Sequence, residues 1–167
     1  MITTKMLLPA FLILSFKGQA QLKETYEINT MKQEKNTFIN PEGLFNPVFH
    51  GFSHIGKVPS GTELYFLSGQ WASDKEGKLV SEDFEVQVQQ TLQNVKTALK
   101  AEGMSTKNIV KQTIYIADFT PEKKMILMQV AAKEWGAPVF PASSIVPLPV
   151  LATAPGCLVE MECIATR

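Results

Sequence analysis

Near its end the chain reads LVEMECIA, residues 158–165, a segment whose two faces differ in character. Side chains alternate between the two faces of a β-strand. One face therefore receives only apolar residues: Val159, Met161, Cys163 and Ala165. The other face combines apolar side chains with two carboxylates, Glu160 and Glu162. The pattern predicts a strand with one side in a core. It leaves open whether the other side is a solvated surface or the interior of an oligomer.

Upstream of this strand, two segments have helical periodicity. The first begins after Ser81, which we predict as its N-cap, and ends at Gly103. Its apolar residues recur every three or four positions and form one stripe: Phe84, Val88, Leu92, Val95 and Leu99. A second helix is predicted from Thr120-Pro121 to Gly136.

The remaining periodic segments are extended. Residues 51–58 and 63–69 flank the turn cluster PSGT, which predicts a β-hairpin, and residues 109–117 and 144–148 are two further strands. The order β-β-α-β-α-β-β predicts a single α+β domain with a sheet of five or six strands. Two helices can cover only one face of such a sheet, so we expect something else to cover the second face.

The N-terminus has the features of an export signal. Lys5 precedes the apolar run MLLPAFLILSF, and small residues follow before Gln21. We predict a signal peptide over residues 1–20, a flexible leader over 21–37 and the folded domain over 38–167. The protein is then exported, periplasmic or secreted, with no stable membrane association after signal removal, because the apolar run is too short to span a bilayer as a helix.

Composition excludes several function classes. The 167 residues include 16 basic and 16 acidic ones, and Arg167 is the sole arginine. A neutral chain offers no broad cationic surface, so we expect no nucleic-acid partner. Cys157 and Cys163 lie roughly 20 Å apart if they share one strand, too far for a disulfide, and we expect both to be buried. With only two histidines besides, His50 and His54, no zinc spacing is present. We expect no metal and no cofactor.

Several ordered motifs resemble the RidA (YjgF) family of reactive-intermediate deaminases. FLSGQ (residues 66–70) is similar to that family's SGQ strand end, and Gln89 to Asn94 to its Q-x-x-x-x-N helix. GMS (103–105) is similar to the helix exit, and VKQTIY (110–115) to the strand V-K-x-T-x-Y. FPASS (140–144) differs from FPARS at one position, and residues 158–165 are similar to VEIEAIA. The resemblance covers the chain from about residue 38 to the C-terminus.

The resemblance implies a chorismate-mutase-like α+β fold, a mixed sheet with two helices on one face, and a homotrimer with a small-molecule cleft between neighbouring subunits. In deaminating members the cleft hydrolyses imines or enamines of 2-amino acids to 2-oxo acids and ammonia. There an arginine binds the substrate carboxylate and a glutamate activates water. Carried onto this chain, the resemblance implies that Glu160 is the catalytic residue. It also implies the substrate-binding positions Phe52, Ser68, Gly69, Ser143, Ser144 and Ile145.

Two positions depart from the deaminase pattern. Phe52 lacks the hydroxyl of the family's tyrosine, and Ser143 stands in the place of the arginine. A serine cannot reproduce the two parallel hydrogen bonds of a guanidinium. The sequence therefore leaves three hypotheses open. The first is hydrolysis of a C=N or enamine group in a ligand without the usual carboxylate, so that the substrate range differs from that of 2-imino acid deaminases. The second is a non-catalytic metabolite-binding or holdase module. The third, a ribonuclease, is disfavoured by the scarcity of arginine.

Overall fold

The computed structural model of the protein describes residues 35–135 and 140–167. The predicted signal peptide, the leader up to residue 34, and the predicted helix end at Gly136 lie outside these residues.

Six strands and two helices make up the described chain. The strands are β1 (Thr37–Ile39), β2 (Ile55–Lys57), β3 (Leu64–Trp71), β4 (Ile109–Ala117), β5 (Ala142–Leu148) and β6 (Val159–Thr166). The helices are α1 (Phe84–Ala101) and α2 (Pro121–Trp135), with short 3-10 turns at Val48–His50 and Thr106–Asn108.

The main sheet has four strands in the order β3-β6-β4-β5. Strand β6 runs antiparallel to both of its neighbours, whereas β4 and β5 are parallel. A parallel pair needs a crossover connection, and α2 provides it. The sheet is thus mixed, as the sequence analysis predicted.

The predicted β-hairpin is wrong. Strand β2 pairs with β1, with Phe38 opposite Gly56, and the two form a separate two-stranded sheet. Strand β3 pairs instead with β6, almost a hundred residues further along the chain. The turn at residues 59–62 is a local signal, but partner choice is decided by which strand shares a buried face, and the apolar face of β6 offers β3 far more burial. The main sheet consequently has four strands and not five or six.

The core lies between this sheet and the two helices. All five residues of the predicted stripe of α1 are buried, and they pack with Leu127 and Val130 of α2. The N-cap differs from the prediction, because the Asp83 carboxylate accepts the hydrogen bond from the backbone N–H of Val86. Ser81 lies two residues before this N-cap, and its hydroxyl accepts a hydrogen bond from the N–H of Asp83.

A buried glutamine links α1 to the segment that precedes β6. The Gln87 amide donates to the carbonyls of Ser81 and Gly156, each at 2.9 Å, and accepts from the N–H of Leu158 at 2.8 Å. Three of the four hydrogen-bonding positions of this amide are therefore used. The contacts fix the entry of β6, the strand that carries both carboxylates.

Strand β6 confirms the predicted alternation, since its odd-numbered residues are buried against the helices and Glu162 is exposed. The opposite face of the sheet, which we call the bare face, has no covering element within the described chain. It carries apolar side chains among its polar ones, and Phe66 is 74% exposed. Ile164 lies opposite Phe66 in the strand register. Leu64, two residues before Phe66 on the same face, is also exposed, and a contiguous apolar patch of this kind is typical of an interaction surface.

We expect copies of the chain to associate through the bare face, so Phe66→Asp should lower the assembled fraction, because it places a charge within the contact. Light scattering on the purified protein measures the mass. Met125→Asp is a matched control, because Met125 is also an exposed apolar residue, at 56%, but lies on α2. A wild-type protein that is monomeric at micromolar concentration would contradict the prediction.

Candidate functional site

The predicted site residues fall into two groups on opposite faces of the main sheet. Glu160 lies on the bare face, beside the segment with Ser68 and Gly69. The second group lies on the helix side and lines a cavity: Phe52, Ser143 and Ile145. Ser144 follows Ser143 on β5 and therefore points to the bare face, where it is exposed. A single subunit does not bring the two groups together.

A β-bulge in β3 shapes the first group. Leu67 is opposite Cys163 and Gln70 is opposite Met161, so Ser68 and Gly69 together face one residue of β6. A bulge of this kind interrupts the ladder and redirects side chains, and bulges are common next to active sites. The backbone of residues 68–69 is consequently presented next to Glu160.

The Glu160 carboxylate lies directly over Gly69. A Cβ at residue 69 would overlap Oε1 of Glu160 and come within 2.9 Å of its Cγ, so only glycine leaves room for this carboxylate. The hydroxyl of Thr153 donates to the other carboxylate oxygen, Oε2. The carboxylate is therefore held from two sides, by a hydrogen bond and by backbone packing, and keeps one oxygen free of protein donors among the described residues.

The cavity on the helix side has a volume of about 630 Å³. Its walls are α2, the strands β4 and β5, and residues 45–52. Aromatic side chains dominate the lining: Phe45, Phe49, Phe52, Trp135 and Phe140. Large apolar cavities with few polar groups are the usual sites for small molecules.

The segment of residues 45–54 beside the cavity contains several edge-to-face contacts between aromatic rings. Phe45 contacts the rings of His50, Phe52 and His54 at centroid distances between 5.2 and 5.9 Å. The Nε2 atom of His54 also lies 2.9 Å from the carbonyl oxygen of Phe45. Gly51 turns the chain with a φ of 75°, a conformation that favours glycine. Phe52 thus reaches the cavity as part of an ordered aromatic cluster.

Ser143 has a polar partner inside the cavity wall. The Gln112 side chain donates from Nε2 to the Ser143 hydroxyl at 3.1 Å. Gln112 is only 3% exposed, and its Oε1 atom has no hydrogen-bond partner among the described residues. Buried polar atoms of this kind are costly unless something satisfies them. The sequence analysis missed Gln112, although it is the one polar residue on the apolar face of β4, between Val110 and Ile114.

Comparisons with known proteins show which family the chain belongs to. The family described as Endoribonuclease L-PSP matches residues 47–167. The 2-iminobutanoate/2-iminopropanoate deaminase of Salmonella typhimurium is 31% identical over 116 residues, which cover 68% of this chain and 89% of that protein. The chain belongs to the RidA/L-PSP family. Reactive Intermediate Deaminase A, chloroplastic, of Arabidopsis thaliana is 40% identical over 104 residues, 62% of this chain and 53% of that protein.

Solved structures of the RidA/L-PSP family have the same fold. The Rid-family protein YyfB of Yersinia pestis superposes with a TM-score of 0.73 at 31% identity, covering 80% of this chain and 100% of that chain. The α+β fold with a mixed sheet and two helices is thereby confirmed. The chain spans about half the length of the first curated relatives that it matches, 53% and 48% of them.

The bare face of this RidA-family chain also has a polar cluster beside Glu160. The Tyr115 hydroxyl donates to the Glu162 carboxylate at 3.0 Å, and that hydrogen bond raises the pKa of Tyr115. The Lys111 ammonium lies 3.1 Å from the Ser144 hydroxyl, and burial lowers the pKa of Lys111. Ser144 therefore contacts Lys111 of β4 on the bare face, and it is not among the residues that line the cavity.

The two cysteines are poor candidates for nucleophiles. Both are free and buried, as predicted. Burial raises the pKa of the Cys163 thiol to about 12 and also raises that of Cys157, so both remain protonated near neutral pH.

Within residues 35–135 and 140–167 no group of three or more ligating side chains could hold a metal ion. In the same ranges, no helix combines the length and apolarity that crossing a membrane requires.

The contact between Gly69 and Glu160 predicts a coupled pair of substitutions. Gly69→Ala should lower the free energy of unfolding by about 1–3 kcal/mol, because the added methyl group displaces the carboxylate. In a Glu160→Ala background the same change should cost much less, which gives a coupling of about 1 kcal/mol or more. Urea unfolding of the four proteins measures the cycle. Additive effects would show that the carboxylate does not occupy this position.

Proposed function

We propose that the protein hydrolyses imines or enamines to carbonyl compounds and ammonia, in clefts between the subunits of a homotrimer. Membership of the RidA/L-PSP family supports this proposal, and two of its relatives are named as deaminases of reactive or 2-imino intermediates. For this chain, both the imine or enamine substrate and the trimeric assembly are part of the proposal.

The observation that carries the proposal is the fixed carboxylate of Glu160. With one oxygen bound to Thr153 and the other free of protein donors, it can orient a water molecule and accept its proton. The water oxygen bonds to the imine carbon, and the proton is delivered to the imine nitrogen. The resulting carbinolamine loses ammonia and leaves the carbonyl. Water and imine thus give carbonyl and ammonia without any other reactant.

The separation of the two residue groups supports a shared cleft. Because Glu160 and the cavity with Ser143 face opposite sides of one sheet, the two groups can meet only when a second subunit supplies one of them. The exposed apolar residues of the bare face provide a surface for such an association. A trimer in which the bare face of one subunit reaches the β5 edge of its neighbour, beside which the cavity lies, would complete the site as well as cover the sheet.

Ser143 supports a substrate range different from that of 2-imino acid deaminases. The sole arginine, Arg167, donates to the Tyr65 hydroxyl and to the carbonyl of Glu102, and it does not line the cavity. Losing a charge-assisted pair from a desolvated site costs roughly 2–5 kcal/mol. Small 2-imino acids, which rely on that pair, should therefore be weak substrates.

A coupled assay tests catalysis by Glu160. An amino-acid oxidase generates imines in the presence of semicarbazide, which traps them, and the protein should compete by releasing the carbonyl product. Glu160→Gln should lower the rate about a hundredfold or more, because the amide cannot accept the water proton. Glu162→Gln is the matched control, since Glu162 is on the same face of β6 and its amide can still accept from Tyr115. Equal rates for wild type and Glu160→Gln would refute the mechanism.

A second pair of variants tests the role of position 143. Ser143→Arg restores two parallel hydrogen bonds to a carboxylate and should raise kcat/KM for small 2-imino acids by roughly thirtyfold or more. Ser143→Lys supplies a charge on a similar chain without the planar fork, and its gain should be smaller. The proposal about substrate range fails if wild type already hydrolyses small 2-imino acids as fast as Ser143→Arg does.

The cavity itself favours a second candidate, a non-catalytic module that binds a small metabolite or acts as a holdase. Its apolar lining needs no contribution from Glu160 to hold a ligand. Ligand binding without any acceleration of carbonyl release, for carboxylated and uncarboxylated imines alike, would favour this candidate over the enzyme.

A further inference from the structure

Among the described residues that line the helix-side cavity, Lys124 of α2 is the only lysine or arginine, His50 is the other titratable side chain, and no aspartate or glutamate is present. A cavity with one positive charge and apolar walls attracts a negative group more than a neutral one. Lys124 does not stand out among the 16 basic residues of the sequence, because only the fold brings it into the same cavity as Ser143 and Phe52.

The Lys124 ammonium is not engaged elsewhere in the described chain. Its neighbour Lys123 donates to the carbonyl of Ala117 and lies over the ring of Phe84. Lys96 forms an ion pair with Glu134. The backbone N–H of Lys124 donates to the carbonyl of Thr120, and its ammonium has no hydrogen bond or ion pair among the described residues. Half-buried at the wall of the cavity, this side chain is available to a ligand.

The size of the cavity indicates the rest of the ligand. A volume of about 630 Å³ lies within the range of ~300–1,000 Å³ that is usual for drug-sized ligands. A two- or three-carbon acid would leave most of the aromatic wall in contact with water. An aryl or long alkyl group would instead pack against Phe52, Trp135 and Phe140.

We propose that the helix-side cavity binds amphipathic carboxylates, with the carboxylate at Lys124 and an aryl or long alkyl body against the aromatic wall. Lys124 then supplies from α2 the charge that Ser143 does not supply from β5. This revises the expectation of a ligand without a carboxylate. That the natural ligand is a bulky 2-imino acid rests on the proposed function, whereas binding of an unreactive carboxylate does not.

Calorimetry with hydrocinnamate and its neutral amide, hydrocinnamamide, tests the charge pair. Wild type should bind the acid about three- to thirtyfold more tightly than the amide, since a lysine at a half-buried site makes a moderate ion pair. Lys124→Met keeps the length of the side chain but removes its charge, so it should abolish this preference and leave the affinity for the amide unchanged. Unchanged amide binding also shows that the variant is folded.

Lys133→Met is the matched control, because Lys133 lies on the same helix but borders a different surface depression. It should keep the full preference for the acid. The sequence has two tryptophans, so in Trp71→Phe only Trp135 remains, and its emission should change when hydrocinnamate binds in the cavity. An unchanged emission, equal affinities for acid and amide in wild type, or a preference that persists in Lys124→Met would each overturn the proposal.

The outcome can be separated from that of the proposed function. Glu160→Gln should still bind hydrocinnamate more tightly than the amide, because the proposed charge pair is made by Lys124. If the preference for the acid holds but no imine is hydrolysed, the binding site stands and the enzymatic proposal fails. If imines are hydrolysed but acid and amide bind equally, the assignment of Lys124 fails alone.

Discussion

The organisation of the molecule depends on the alternation of side chains along β6, the strand that pairs with both β3 and β4. Its odd-numbered residues are buried against α1 and α2, which fixes the register of the whole sheet, because a slip by one residue would bury Glu160 and Glu162 in the core. The same alternation places both carboxylates on a face that no described element covers. The position of the two carboxylates is thus a direct consequence of how the core is packed.

Because the sheet separates Glu160 from Ser143, the fold divides the tasks of a site between its two faces. The bare face holds a carboxylate with fixed geometry, and the helix side holds an apolar cavity with one cation. In one subunit these are separate features, and an assembly is needed before a base can act on a molecule that the cavity holds. Exposed Phe66 and the position of Glu160 on the same face connect the two requirements, since the surface that we propose for association also carries the proposed base.

The sequence predicted those parts of the structure that repeat with a short period. The stripe from Phe84 to Leu99 and the alternation in β6 each contain enough positions for the pattern to be unambiguous. The β1–β2 pair contains three residues in each strand, too few for a pattern, and the turn at residues 59–62 predicted a hairpin that the fold does not contain. The motifs propose site residues by their position along the chain, but the division of those residues between two faces is visible only in the sheet register. Gln112 and Lys124 were missed because they belong to the cavity through contacts between α2, β4 and β5, which no local spacing records.

Because the candidate site is divided between two faces of the sheet, one part of it can change without the other. A substitution at Ser143 alters what the cavity recognises, but it leaves Glu160, Thr153 and Gly69 untouched, because these residues are held by β3, β6 and the segment between β5 and β6. The group that binds a ligand carboxylate can therefore change from an arginine on β5 to a lysine on α2 without any change in the residues around Glu160. A lysine is a weaker and less directional partner for a carboxylate than an arginine, so more of the binding energy must come from the apolar body of the ligand. We propose that the aromatic lining supplies the surface for that contribution, so that the serine at position 143 and the size of the cavity are parts of one recognition mode.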